Sequence, residues 1–330
     1  MKEEILNTLY YLAVILIFAK SFGLLARKIG LPQVAGMVIA GVILGLLSNF
    51  HRDDNAILST IFMKPSAKEK DILNAFSQIG VVLILFSSGL ETNLDDLKHS
   101  GLAATFIALC GVLIPIALGT LGSMFFLNGF AAYSHEKLLN AIFVGTILAA
   151  TSVGITVETL KEIGKLNSRV GQTIVSAAVI DDVLGIIALS IVTSLKGGGA
   201  SQIWITLLKA VGFFAFSIGL GILLRIYFKW EEHKFPHKRR TSIYAFGMCF
   251  LFAFCAEKFF GIAAITGAYM AGIMLSGLED TQFVDRKVVV SGYMIFSPIF
   301  FSYIGISADF SGLSWSYLLF GLTFVALGII

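Results

Sequence analysis

The sequence predicts an all-α polytopic membrane protein. Of its 330 residues 57% are apolar and only 14% charged, and the mean hydropathy is +0.87. Soluble domains are roughly a quarter charged and under half apolar. Apolar runs of about 20 residues recur from end to end, the length an α-helix needs to cross the hydrocarbon of a bilayer. The runs are continuous rather than alternating. Only helices and closed barrels satisfy their own backbone in lipid, so helices are expected.

Eleven spans are expected, over 5–27, 31–48, 72–90, 101–129, 138–160, 168–195, 201–228, 241–256, 260–278, 288–307 and 313–330. Lys2, Glu3 and Glu4 precede the first, which has no small-residue cleavage pattern and so reads as a helix, not a signal peptide. The polar connections 49–71 and 229–240 are too short to be domains. Loops after odd-numbered spans hold more Lys and Arg than the alternate set, chiefly Lys229, Lys234, Lys238, Arg239 and Arg240. The positive-inside rule then sets the N-terminus outside.

Span two reads Gly36-Met37-Val38-Ile39-Ala40-Gly41 and span nine Gly267-Ala268-Tyr269-Met270-Ala271-Gly272. Span three ends Ser88-Gly89-Leu90-Glu91, and span ten ends Ile304-Gly305-Ile306-Ser307. Two matches in the same order predict a repeat offset by seven spans. An odd offset makes the copies cross the membrane in opposite senses, a mark of secondary transporters. The expected division is a first repeat over 31–195, a linker helix over 201–228 and an incomplete second repeat over 241–330. Span eleven would pair with span four, so the pattern stops at Ile330 two helices short.

The chemistry concentrates in spans five and six. Asp181 and Asp182 lie about 20 Å along span six, near the membrane centre. Adjacent carboxylates there repel and are poorly solvated, and intramembrane acids are rare without a function. Such a group can hold a proton or a cation, but not easily both; exchange follows from that competition. The bland alternative is a buried pair bonded to nearby hydroxyls. Span five carries Thr151, Ser152, Val153, Gly154 and Thr156, which weaken a helix at mid-membrane, where unwound backbone lines cavities. Its alternative is a small-residue packing seam with hydroxyls bonded back to their own helix.

The remaining polar residues read as scaffolding. Lys20, Lys209 and Arg225 snorkel; Glu91, Asp95 and Asp96 flank a helix end; His51, His99, His135, His233 and His237 fall in loops; and Gly197 to Gly199 form a turn. A dispersed net charge of +3 argues against nucleic acid. Cys110, Cys249 and Cys255 sit in apolar runs, with no disulfide or metal spacing. No nucleophile–base constellation points to an enzyme, and no cofactor is expected.

These residues resemble the cation:proton antiporter-2 family, and within it the NapA-type sodium/proton antiporters more than the Kef-type potassium systems. The likeness covers the whole chain and rests on Leu31 to Gly36, Phe86 to Glu91, Thr151-Ser152 and above all Asp181-Asp182. It implies the NhaA/NapA-like inverted-repeat fold, here truncated before its last two helices. It also implies a homodimer in the cell membrane that exchanges sodium, or potassium, for protons by an elevator motion. Asp182 would be the principal carrier of metal cation and proton, Asp181 its partner, and Thr151 and Ser152 the unwound crossover. The family often has a basic residue on the helix matching span eleven; none occurs between Leu313 and Ile330. A non-transporting sensor and a sodium-coupled organic-anion symporter on the same fold are the alternatives.

Overall fold

Continuous apolar runs flanked by polar residues become long helices. The computed structural model describes residues 2–50, 65–92, 94–128, 135–195, 201–234, 239–308 and 314–329. Helix α1 (Lys2–Lys28) has Glu3 and Glu4 in its first turn and Arg27 and Lys28 in its last, each complementing the helix dipole. It is followed by α2 (Gln33–Phe50) and α3 (Ala67–Leu90). A reciprocal capping box starts α3: Ser66 accepts from the Glu69 amide and Glu69 accepts from the Ser66 amide. Then come α4 (Leu94–Asn128), α5 (His135–Ala149), α6 (Val153–Glu162), α7 (Arg169–Thr193) and α8 (Ser201–Lys234). The last five are α9 (Arg239–Cys255), α10 (Ala264–Leu275), α11 (Thr281–Ser291), α12 (Ser297–Ser307) and α13 (Trp315–Ile329). Widened π-type turns extend α9 over Ala256–Phe260 and join α11 to α12 over Gly292–Phe296.

Among the described residues eight helical stretches are long and apolar enough to cross a bilayer. Gln33–Ser48, Ala264–Leu275 and Trp315–Ile329 are shorter apolar helices. Together they coincide with the eleven expected segments. The fifth is interrupted between α5 and α6, where hydroxyl residues cluster, and the tenth combines α11, the π turn and α12.

Two groups of helices lie side by side. Helices α1, α2, α3, α9, α10, α11 and α12 pack with one another, as do α4, α5, α7 and α13. The short α6 touches α2, α3 and α7, and so sits on the seam between the groups. Glycines set the closest crossings. A β-carbon on Gly41 of α2 would strike the Ser302 carbonyl of α12, and one on Gly305 would strike Val38 and Val42. In α3 and α10, Gly89 and Gly272 are opposed in the same way, each against the other helix's backbone.

Three expectations change. His99 lies within α4, His135 begins α5 and His233 lies within α8, because the helices run further than their apolar cores; His51 and His237 fall outside the described residues, as do Gly197 to Gly199. Lys161, one residue past the expected fifth span, lies in the last turn of α6. Glu91 does flank a helix end, as the C-cap of α3, but it also pairs with Lys161 at 2.7 Å. Asp95 and Asp96 lie in the first turns of α4.

Candidate functional site

Helix α5 stops at Ala149, and Ala150 to Ser152 are not helical. Ser152 is extended (φ −88°, ψ 105°) and caps α6: its side chain accepts from the Ile155 amide at 3.4 Å, and its carbonyl accepts from the Thr156 amide and hydroxyl. A helix N-terminus therefore opens in mid-chain, with Val153 and Gly154 in its first turn. Thr151, freed from helical bonding, donates to Asp181 Oδ2 at 3.1 Å.

The neighbouring carboxylate is held from the other helix group. Thr266, in the first turn of α10, donates to Asp182 Oδ2 at 2.9 Å. A left-handed Gly261 (φ 65°) ends the π turn before it, so the chain reverses and sets a second helix start at the site. Both donors can stay bonded only to a carboxyl oxygen that accepts. Asp181 Oδ1 is buried without a hydrogen-bond partner, 3.7 Å from where a Gly111 β-carbon would stand on α4. An orphaned carboxylate oxygen beside a second carboxylate suits a proton or a small cation in turn.

A cavity of about 520 Å³ reaches this point. Thr151, Ser152, Val153, Gly154 and Asp182 line it together with Gln78, Glu257, Ile265 and Phe300. Its lining includes Glu257 and Gly261, both exposed where α9 ends. Further along α6, α7 and α10 the buried side chains of Val157, Leu160, Val175, Val179, Tyr269 and Ile273 pack in one apolar cluster.

Of the sequence-predicted site residues, Asp181, Asp182, Thr151, Ser152, Val153 and Gly154 line the cavity or bond at this junction, whereas the Thr156 hydroxyl bonds back to the Ser152 carbonyl of its own helix. Sequence reasoning missed Thr266. Its only signal is a hydroxyl one residue before the glycine that opens the repeated motif of span nine.

Residues 13–330 match the sodium/hydrogen exchanger transmembrane family. The Na(+)/H(+)-K(+) antiporter GerN of Bacillus cereus is 33% identical over 307 residues, covering 92% of this chain and 72% of the relative. The high-affinity Na(+)/H(+) antiporter NhaS3 of Synechocystis is 31% identical over 330 residues, covering 93% and 70%. The sodium proton antiporter MjNhaP1 of Methanocaldococcus jannaschii superposes with a TM-score of 0.67 at 20% identity, covering 98% of this chain and 77% of that one, a likeness of fold. With a multi-pass helical architecture and near-complete coverage by the family, the chain is a member of the sodium/hydrogen exchanger transmembrane family.

Proposed function

We propose that this chain is a secondary transporter that exchanges a monovalent cation, sodium first and potassium second, for protons through Asp181 and Asp182. One observation carries the reading. The two carboxylates are each bonded to a hydroxyl at a separate helix start, and Asp182 and Thr151 line a shared cavity. Asp182 exchanges its proton for the cation. Asp181, Thr151 and Ser152 complete the polar shell, and Val153, Gly154 and Thr156 form the unwound crossover.

The N-terminus faces outside, so the cavity opens outward and Asp182 must be exposed in turn to the cytoplasm. The group carrying Asp182 moves against the other, as in an elevator. The matched crossings Gly41–Gly305 and Gly272–Gly89 support inverted repeats, since each is the other's image under the repeat offset. The larger helix group, with α1 and α9 on its flanks, supplies the surface for a homodimer in the cell membrane. A symporter for organic anions is disfavoured: the described cavity lining includes Asp182 and Glu257 but no lysine or arginine.

The test is exchange by the reconstituted full-length protein in vesicles holding a pH-sensitive dye. Under an imposed pH gradient, sodium or potassium should dissipate it, and Asp182→Asn should abolish the response. No response from correctly inserted wild type with either cation would instead favour the sensor.

A further inference from the structure

The half of the seam opposite the cavity is closed by apolar packing and also by a polar cluster that plays no part in the exchange site. Lys161 of α6 donates to Glu91 at 2.7 Å and to Ser87 at 3.0 Å, both at the end of α3. Ser87 in turn donates to Asp285 of α11, at 2.7 Å. Glu158, one turn before Lys161, accepts from Tyr293 of the π turn after α11. Glu158 is only 8% exposed, and its Oε2 has no hydrogen-bond partner.

The charges facing this cluster come from every element around α6. Glu162 is spent on the first amide of α2, at Gln33. Helix α2 has no titratable side chain, and α7 presents the amide of Gln172 to the Glu91 carbonyl, with Arg169 exposed at its start. Helix α10 contributes the Tyr269 hydroxyl, held by Thr92. That leaves three carboxylates around one ammonium. A nine-tenths buried carboxylate with an open oxygen, next to two more, calls for a positive occupant. The seam already holds one cation in Lys161 and is lined by hydroxyls, so the smallest occupant fits best.

We propose that Glu91, Glu158 and Asp285 form a second proton-binding site, on the inner side of the seam, sharing one proton beside the Lys161 ammonium. The proton comes from the inner aqueous phase and bonds to a carboxylate oxygen; no other bond changes. Glu158 and Lys161 sit on α6, whereas Glu91, Asp285 and Tyr293 belong to the other helix group. Opening the inner seam separates the two halves, so proton occupancy differs between the two orientations.

Infrared difference spectra of the reconstituted protein, recorded during a pH titration, read the carboxyl groups directly and need no transport. A carbonyl band of a protonated carboxyl should grow on acidification, persist in Asp182→Asn and vanish or fall by half or more in Glu158→Gln. Lys161→Met should move its midpoint by about one pH unit or more towards alkaline pH, because the competing positive charge is gone. A band of wild-type size and midpoint in Glu158→Gln overturns the site. Should that variant fail to insert, an unmoved midpoint in Lys161→Met overturns it equally. Loss of sodium exchange in wild type would sink the antiport reading while leaving these spectra unchanged.

Discussion

Thr151 and Thr266 do matching work on adjacent carboxylates, yet only Thr266 reaches the residue assigned as the carrier. A donated hydrogen bond stabilises the charged carboxylate over the protonated acid, and a bond to a charged group contributes about 1.5–3 kcal/mol. Removing the Thr266 hydroxyl while keeping its shape therefore leaves Asp182 holding its proton more tightly. Thr266→Val should raise the apparent KM for sodium about tenfold or more at neutral pH and shift the pH–activity profile to more alkaline values. Thr151→Val acts on the partner carboxylate and should give a smaller change of the same sign. Rates measured across pH with equal amounts of inserted protein check both; a Thr266→Val profile superimposed on wild type would remove Thr266 from the site.

At the scale of elements, the crossings between helices are set by backbone approach, not by large side chains. Gly41 and Gly272 lie against carbonyls of the opposing helices, whereas a β-carbon on Gly247 of α9 would meet nothing within 4 Å. Overpacking at a tight crossing costs about 1–3 kcal/mol, while alanine in place of an open helical glycine stabilises by about 0.5–1 kcal/mol. Gly41→Ala and Gly272→Ala should each lower the melting temperature in detergent, with Gly247→Ala unchanged or raised. This is also the scale at which the sequence was most legible. Hydropathy located the eleven apolar segments, though not the polar start of α11 at Thr281, and the run from Thr151 to Thr156 located the break, because both depend on local composition. The crossings were visible only as repeated glycines. The Lys161–Glu91 pair was hidden: its partners are 70 residues apart, and a lysine at an apolar run's end looks like any interfacial charge. Thr266 was hidden for the same reason, since a lone hydroxyl in a span more often bonds its own helix.

For the whole molecule, the decisive asymmetry is that the described cavity is lined from the Glu257 end of α9, whereas the buried apolar cluster packs further along α6 and α10. The π turn carrying Glu257, which lines the cavity, lies on the side assigned outside by the distribution of Lys and Arg. Cysteine labelling tests the two assignments together. Cys249 and Cys255 are buried and Cys110 half-buried, so their replacement gives a quiet background. Ile265 lines the cavity beside Thr266, and Ile273 is sealed in the seam two turns further along α10. A membrane-impermeant thiol reagent should modify Ile265→Cys from outside intact cells, more slowly with saturating sodium, and leave Ile273→Cys unmodified from that side. In inside-out vesicles the ranking should reverse only when an imposed gradient drives turnover, because the inner seam must then open for Asp182 to discharge. Modification of Ile265→Cys from the cytoplasmic face alone would invert the orientation while keeping the fold. Equal modification of both positions from both faces would mean a continuous pore, and obligatory exchange through Asp182 could not survive that result.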